Sequence, residues 1–202
     1  MAKVKNLIIE QGKTFKLIVR WENTKLIYKA ITGISKTAPV RIDCVGHGVP
    51  DGWNVVVTSV KGMTQINPQN SPPKDKDYSP ATPVSTDILE INSINAAEFS
   101  TYASGGYVQY YEPRPLSTAT GRMKIKDKIG GTVLFELTTA NGRIIIDNAT
   151  KTITLLISAA DTEIMTWVKG VYDLEIVEAG SPEVVHALLT GTVTVSKEVT
   201  TI

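Results

Sequence analysis

Gly142-Arg143-Ile144-Ile145-Ile146-Asp147-Asn148-Ala149-Thr150-Lys151-Thr152-Ile153-Thr154-Leu155-Leu156-Ile157 is the stretch on which the fold of this chain turns. Residues 142–146 read as a short apolar strand. Residues 147–150 read as a turn, because Asp147 and Asn148 bond back to their own backbone and tolerate left-handed geometry. Residues 152–157 alternate with period two, as a second strand does. Ser158-Ala159-Ala160-Asp161 reads as a capping-box variant opening one short helical stretch that ends near Trp167. Gly170 then releases the chain into a strand where Leu174 and Ile176 alternate with Asp173 and Glu175. Strand, turn, strand, short helix and strand predict a β-sandwich, to which the remaining sequence adds strands or in which it is inserted.

The 202 residues suffice for one large core or two small ones. Lys and Arg number 21 against 20 Asp and Glu, so no charge field steers the chain toward nucleic acid, which is not an expected partner. A single cysteine, Cys44, excludes an internal disulfide, and two histidines, His47 and His186, exclude a histidine-rich metal centre. The opening Met1-Ala2-Lys3-Val4-Lys5 lacks the apolar run of a signal peptide. No stretch approaches the roughly 18 consecutive apolar residues of a spanning helix. No membrane partner is expected, and the chain is expected to be made in the cytoplasm.

Upstream, residues 6–11 and 15–21 read as strands, the second with Phe15, Leu17, Val19 and Trp21 on one face, and Leu26-Ile27-Tyr28 begins another. Residues 40–45, 53–58, 86–91 and 107–111 read as strands of different texture. Between them, residues 67–83 hold five of the ten prolines and the run Lys74-Asp75-Lys76-Asp77, which predicts a surface loop unable to hold a central strand: a contact or a mobile excursion. Residues 121–126, 132–137, 184–189 and 192–196 complete the series, and the ending 197–202 is a candidate to pair with a neighbour's edge. Strands thus fall at 6–28, 40–111 and 121–196, and the first group is too small to stand alone. The prediction is an all-β chain: an Ig-like β-sandwich from residues 1–28 and 112–202, with a small β-barrel domain, 29–111, inserted between its early strands and carrying the Pro-rich loop 67–83. One continuous elongated sandwich is the rival arrangement.

Chemistry is sparse. His47, between two glycines, is the most exposed catalytic candidate, although a turn residue fits the position better; Cys44 three residues earlier lacks a third partner. His186 alternates with Val184 and Leu188 as a half-buried strand residue. Asp43, Asp51, Asp75 and Asp77 match no calcium-loop spacing, and the last two are interleaved with lysines. Gly105-Gly106 and Gly130-Gly131 do not open helices, so they are not phosphate loops. Arg122, Lys124, Lys126 and Lys128 form a basic cluster that is either a solvated face or a salt-bridging surface for a neighbouring subunit. Tyr102, Tyr107, Tyr110 and Tyr111 suit an interdomain seam, a subunit contact or a glycan platform, and Tyr107 can pack in the barrel. No catalytic residue, cofactor site or metal site is assigned.

Two resemblances sit on these residues. Glu10-Gln11-Gly12-x-x-Phe15, Gly121-Arg122-Met123-Lys124-Ile125-Lys126, residues 131–137, Trp167-x-x-Gly170-Val171-Tyr172-Asp173-Leu174-Glu175-Ile176 and residues 188–196 resemble a β-sandwich module of tailed-bacteriophage virions, found in tail, baseplate and neck-associated proteins, including the N-terminal module of baseplate upper proteins. There the first strands run almost directly into the strand matching 121–126; here about 80 residues intervene. Within them, residues 46–52, Val60-Lys61-Gly62-Met63-Thr64 and Phe99-x-x-Tyr102-x-Ser104-Gly105-Gly106-Tyr107-Val108 resemble a small β-barrel repeat of phage tail proteins, similar in form to the first catalytic-cysteine half-domain of ubiquitin-activating enzymes. The long loop 67–83 replaces the tight turn usual in that repeat. The resemblances imply a non-enzymatic structural component of a phage particle, a virion protein that self-associates as a homo-oligomer and meets other virion proteins at the neck, tail or baseplate. The alternative is a carbohydrate-binding or host-surface adhesion module, which exposed aromatics beside the loop 67–83 would favour.

Overall fold

The computed structural model describes residues 2–180 and 182–198. The early strands are β1 (Lys3–Val4), β2 (Leu7–Glu10), β3 (Phe15–Arg20), β4 (Glu22–Ala30), β5 (Gly33–Ile34) and β6 (Val40–Asp43). There follow β7 (Trp53–Lys61), β8 (Ser79–Pro83), β9 (Ile88–Ile91), β10 (Ser104–Pro113), β11 (Ala119–Lys126) and β12 (Val133–Thr138). The chain continues through β13 (Ile144–Asp147), β14 (Thr152–Ile157), a helix α1 (Ala159–Glu163), β15 (Lys169–Glu178) and β16 (Val184–Ser196). No helix is long and apolar enough to cross a membrane among the described residues. Of the predicted edge-pairing tail, residues 199–202 lie outside the described residues, as does Ser181 of the turn before β16.

Contacts divide the chain into two compact units, Met1–Trp21 with Pro115–Ile202, and Glu22–Arg114. The first has a six-stranded sheet, ordered β1-β16-β15-β11-β12 with β2 also on β16, and a three-stranded sheet, β13-β14-β3. The hairpin 144–157 pairs Ile144 with Leu155 and Ile146 with Ile153, and β14 then pairs Leu155 with Leu17 and Ile153 with Val19. Period-two alternation sends Ile153, Leu155 and Ile157 inward, where they share one core with Met123, Ile125, Leu174 and Ile176 of the larger sheet.

The N-terminal segment serves both sheets. β1 and β2 run parallel to β16, with Leu7 opposite Val193 and Ile9 opposite Val195. A Cβ at Gly191 would collide with the Lys5 carbonyl, so this position lets the segment lie close against β16. The chain then turns at residues 11–14 and joins the other sheet as β3. That corner is clamped from α1: the Thr162 hydroxyl, fully buried, donates to the Lys13 carbonyl at 2.9 Å, and Gln11 Nε2 donates to the Glu163 carbonyl at 2.8 Å. The predicted cap is present, since Ser158 Oγ accepts the Asp161 N–H at 3.1 Å, although the helix ends at Glu163 rather than near Trp167. Arg143 grips Asp161 at 2.8 and 3.3 Å while lying 4.7 Å from the Phe135 ring centroid. The hydrogen bonds from Arg143 above all hold the Asp161 carboxyl below its ordinary value, against the opposing effect of burial, and Ser158 adds to the lowering.

The second unit corrects the predicted fold class. Its seven strands form one open sheet, β4-β10-β7-β8-β9-β6-β5, with every neighbouring pair antiparallel. Among the described residues no sheet closes into a barrel and none is strongly curled, so the expected Ig-like sandwich carrying an inserted barrel is replaced by an all-β protein of mixed parallel and antiparallel sheets. Edge lengths explain the open form: β4 has nine residues and β5 only two, too few to continue a ladder around to β4. β4 pairs along β10, which carries residues 22–30 into this unit. At the base of that pair Glu22 lies opposite Pro113, and Asn23 and Lys25 donate to the Glu112 carboxylate at 3.1 and 2.9 Å.

The Pro-rich segment is corrected too. One 3-10 turn, Thr64–Ile66, precedes it, a second, Asp75–Asp77, lies within it, and it ends in β8, an internal strand. Proline is tolerated there because the ladders are offset, residues 79–81 serving β7 and residues 82–83 serving β9.

Thr162→Val, which keeps shape and removes the hydroxyl, is expected to lower the unfolding free energy by about 1 kcal/mol in urea titration. Faster amide exchange at residues 10–15 in the same variant locates the loss at the corner.

Candidate functional site

On β10, Val108 and Tyr110 face the core, so Tyr107, Gln109 and Tyr111 face the other way. Tyr28 of β4 lies opposite Gln109, and Thr58 of β7 lies opposite Tyr107, so all five share the outer face of the sheet. The segment 67–78 folds over part of this face. Tyr78 stacks on Tyr111 with ring centroids 6.0 Å apart, and Gln109 Nε2 donates to the Tyr78 hydroxyl at 3.0 Å. Burial pushes the Tyr78 phenol above its ordinary value.

The rest of the segment stands as a wall. Asn67 imitates a strand partner, its Oδ1 accepting the Val60 N–H and its Nδ2 donating to the Val60 carbonyl, both at 2.9 Å. Asn70 Nδ2 donates to both Asp77 oxygens at 3.0 and 2.8 Å, and Asp77 accepts the Lys74 N–H at 2.8 Å. The Lys74 N–H above all, then Asn70, draws the Asp77 carboxyl below its ordinary 3.8.

Floor and wall enclose a groove of about 500 Å³, within the size range of small-molecule sites. Tyr28 and Tyr107, 56% and 46% exposed, meet edge to face on its floor at 6.3 Å between centroids. Ser59, on the rim, has φ +60°, a left-handed step rare for a side-chain-bearing residue. That step resets the alternation of β7, so that Val57 and Val60, three apart, both reach the core.

A second feature belongs to the first unit. Ile145, Thr154 and Ile18 lie in register across the three-stranded sheet, on the face away from the core, and the two isoleucines are 48% and 47% exposed. Both outer strands of that sheet, β13 and β3, are paired on one side only among the described residues.

The sequence-selected residues scatter. His47 is buried rather than exposed: its Nδ1 accepts the Val49 N–H at 3.0 Å, so Nε2 carries the proton donated to the Ser85 carbonyl at 2.9 Å. The Tyr110 hydroxyl donates to the His47 carbonyl at 2.6 Å, which places Tyr110 in the core. Cys44 is fully buried, and burial pushes its thiol up to about 11, away from thiolate chemistry. His186 is half-buried, 3.2 Å from a Glu178 oxygen and 4.8 Å between ring centroids from Trp21. Arg122 pairs across the sheet with Glu175 at 2.7 Å and Lys124 with Glu136 at 3.4 Å, acids the sequence leaves unassigned to the basic cluster. Tyr102 points its hydroxyl at the Ile31 and Gly105 carbonyls, at 3.1 and 3.0 Å. Among the described residues no group of three or more His, Cys, Asp or Glu is placed to hold a metal ion. Tyr107, a residue able to pack inward, is instead on the outer face, and nothing in the sequence pattern singles out Tyr28 and Tyr78. Only the aromatic spacing around 107–111 hinted at this face. In comparison with known proteins, neither a family model nor a curated protein matches the chain.

His47→Ala leaves the Val49 N–H and the Ser85 carbonyl without their partner and is expected to cost about 1–3 kcal/mol in denaturant unfolding. Because the folded state lowers the Asp77 value, its stabilising contribution is complete above 3.8 and fades as pH falls through the lower folded value. In an NMR titration the Asp77 carboxyl midpoint should fall below 3.8, with the Lys74 amide resonance moving at the same midpoint.

Proposed function

We propose that this chain is a non-enzymatic structural component of a bacteriophage particle, assembling as a homo-oligomer at the neck, tail or baseplate. The segments that resemble the virion β-sandwich module, 10–15, 121–126, 131–137, 167–176 and 188–196, all belong to the first unit.

The observation that carries the reading is the three-stranded sheet. It combines two open edges with an outward apolar row, Ile145 and Ile18 flanking Thr154. Open edges present unpaired backbone donors and acceptors, and an apolar face beside them gains by leaving water. A second copy applied to this sheet meets both needs at once, and a repeated contact of one kind builds a ring or a closed pair.

Native mass measurement of the purified full chain should give one discrete homo-oligomer. Ile18→Lys with Ile145→Lys, at exposed positions, should shift it to monomer. A wild-type monomer at every concentration tested would overturn the self-association, and absence of the chain from purified phage particles by peptide mass spectrometry would overturn the particle assignment.

A further inference from the structure

Self-association through the first unit leaves the groove of the second unit without a task. We propose that this groove is a binding site for a neutral oligosaccharide. Three observations converge on that ligand class.

The first is charge. The groove is lined by tyrosine, serine, threonine, asparagine, glutamine and proline alone, in a chain with 41 charged residues by the sum of its 21 Lys and Arg and 20 Asp and Glu. A phosphate, carboxylate or nucleic-acid ligand gains from a cationic lining, which is lacking here, whereas an uncharged ligand meets no desolvated charge.

The second is the mixture of ring and hydroxyl. Tyr28 and Tyr107 present large, rigid, amphipathic surfaces that hold a ligand's C–H face with little loss of conformational entropy. Around them the hydroxyls of Thr58, Ser59 and Ser71 and of the two tyrosines have no hydrogen-bond partner among the described residues. A pyranose has the complementary make-up, apolar C–H patches edged by hydroxyls that both donate and accept. An extended proline-rich peptide also stacks on aromatics, but it brings only one carbonyl per residue and would leave most of these hydroxyls unmatched.

The third is preorganisation. The floor is fixed by the β4–β10–β7 ladders. The wall is fixed by Asn67 on Val60, by Asp77 on Asn70 and by the Tyr78–Tyr111 stack. A groove already held in shape spends little of its interaction energy on ordering itself, which suits the modest contacts available to a sugar.

The test is titration calorimetry of the full chain against a panel of neutral oligosaccharides built from glucose, galactose, mannose and N-acetylglucosamine, at low and high salt. The proposal expects saturable binding of at least one member, nearly insensitive to salt. Tyr28→Ala and Tyr107→Ala should each weaken it by about tenfold, while Tyr107→Phe retains most of it. Ser71→Trp, on the exposed rim, leaves the sheet untouched and should block the groove, which keeps the test valid where a tyrosine variant fails to fold. Binding that survives Ser71→Trp would overturn the proposal. So would no binding across the panel, a proline-rich peptide binding in place of the sugars, or a salt-sensitive preference for acidic polysaccharide. None of these outcomes depends on the oligomeric state, so the groove and the assembly reading stand or fall separately.

Discussion

The first twenty residues have to complete two sheets, and the first unit depends on their doing so. β2 lies parallel against β16 in one layer, and β3 lies antiparallel against β14 in the other. Leu7 and Ile9 on one side of the corner and Phe15, Leu17 and Val19 on the other enter the same core. A segment that crosses between layers must leave one ladder before joining the next, and its free carbonyls then need other partners. α1 supplies them. The buried Thr162 hydroxyl takes the Lys13 carbonyl, and the helix itself is held by Ser158 and by the Arg143–Asp161 pair. The short helix after the hairpin is therefore a clasp on a strand more than 140 residues earlier, as the 149-residue separation of Thr162 from Lys13 requires.

In the second unit the governing choice is which face of β10 is covered. The core side takes Val108 and Tyr110, whose hydroxyl tethers the His47 turn. The outer side is only partly covered, because segment 67–78 spans Tyr111 and Gln109 through Tyr78 and stops short of Tyr107 and Tyr28. Asn67 sets where the segment lifts off, by satisfying both backbone groups of Val60 as a neighbouring strand would. The groove is the part of the sheet that this cover leaves open.

Much of the first unit was legible from residue order. The hairpin 144–157, the Ser158 cap and the inward set Ile153, Leu155, Leu174 and Ile176 follow from turn chemistry and period-two alternation, which are local. Closure of a sheet is not local. It depends on the lengths and partners of edge strands, and a two-residue β5 cannot be read from composition. Prolines are compatible with β8 because its ladders are offset, so the strand is not bonded along its whole length on both sides, a relaxation that composition does not reveal. The face of Tyr107 is not legible in the sequence, because alternation fixes which residues share a face but not which face is inward, and the glycines at 105 and 106, both with positive φ, precede it. His47 looked exposed from its flanking glycines, yet a turn can fold its side chain under itself when the ring takes the turn's own N–H.

The base of the second unit has a consequence for how such chains are remade. Its entry and exit strands meet there, Glu22 opposite Pro113, with Glu112 bridged to Asn23 and Lys25. Directly opposed residues of an antiparallel pair sit about 5 Å apart at their Cα atoms. Splicing out the guest would therefore ask the host to close a gap of roughly one or two residues, and splicing in a different guest would need only a paired stem of the same width. Recombination could exchange such cassettes while leaving the surrounding framework in register.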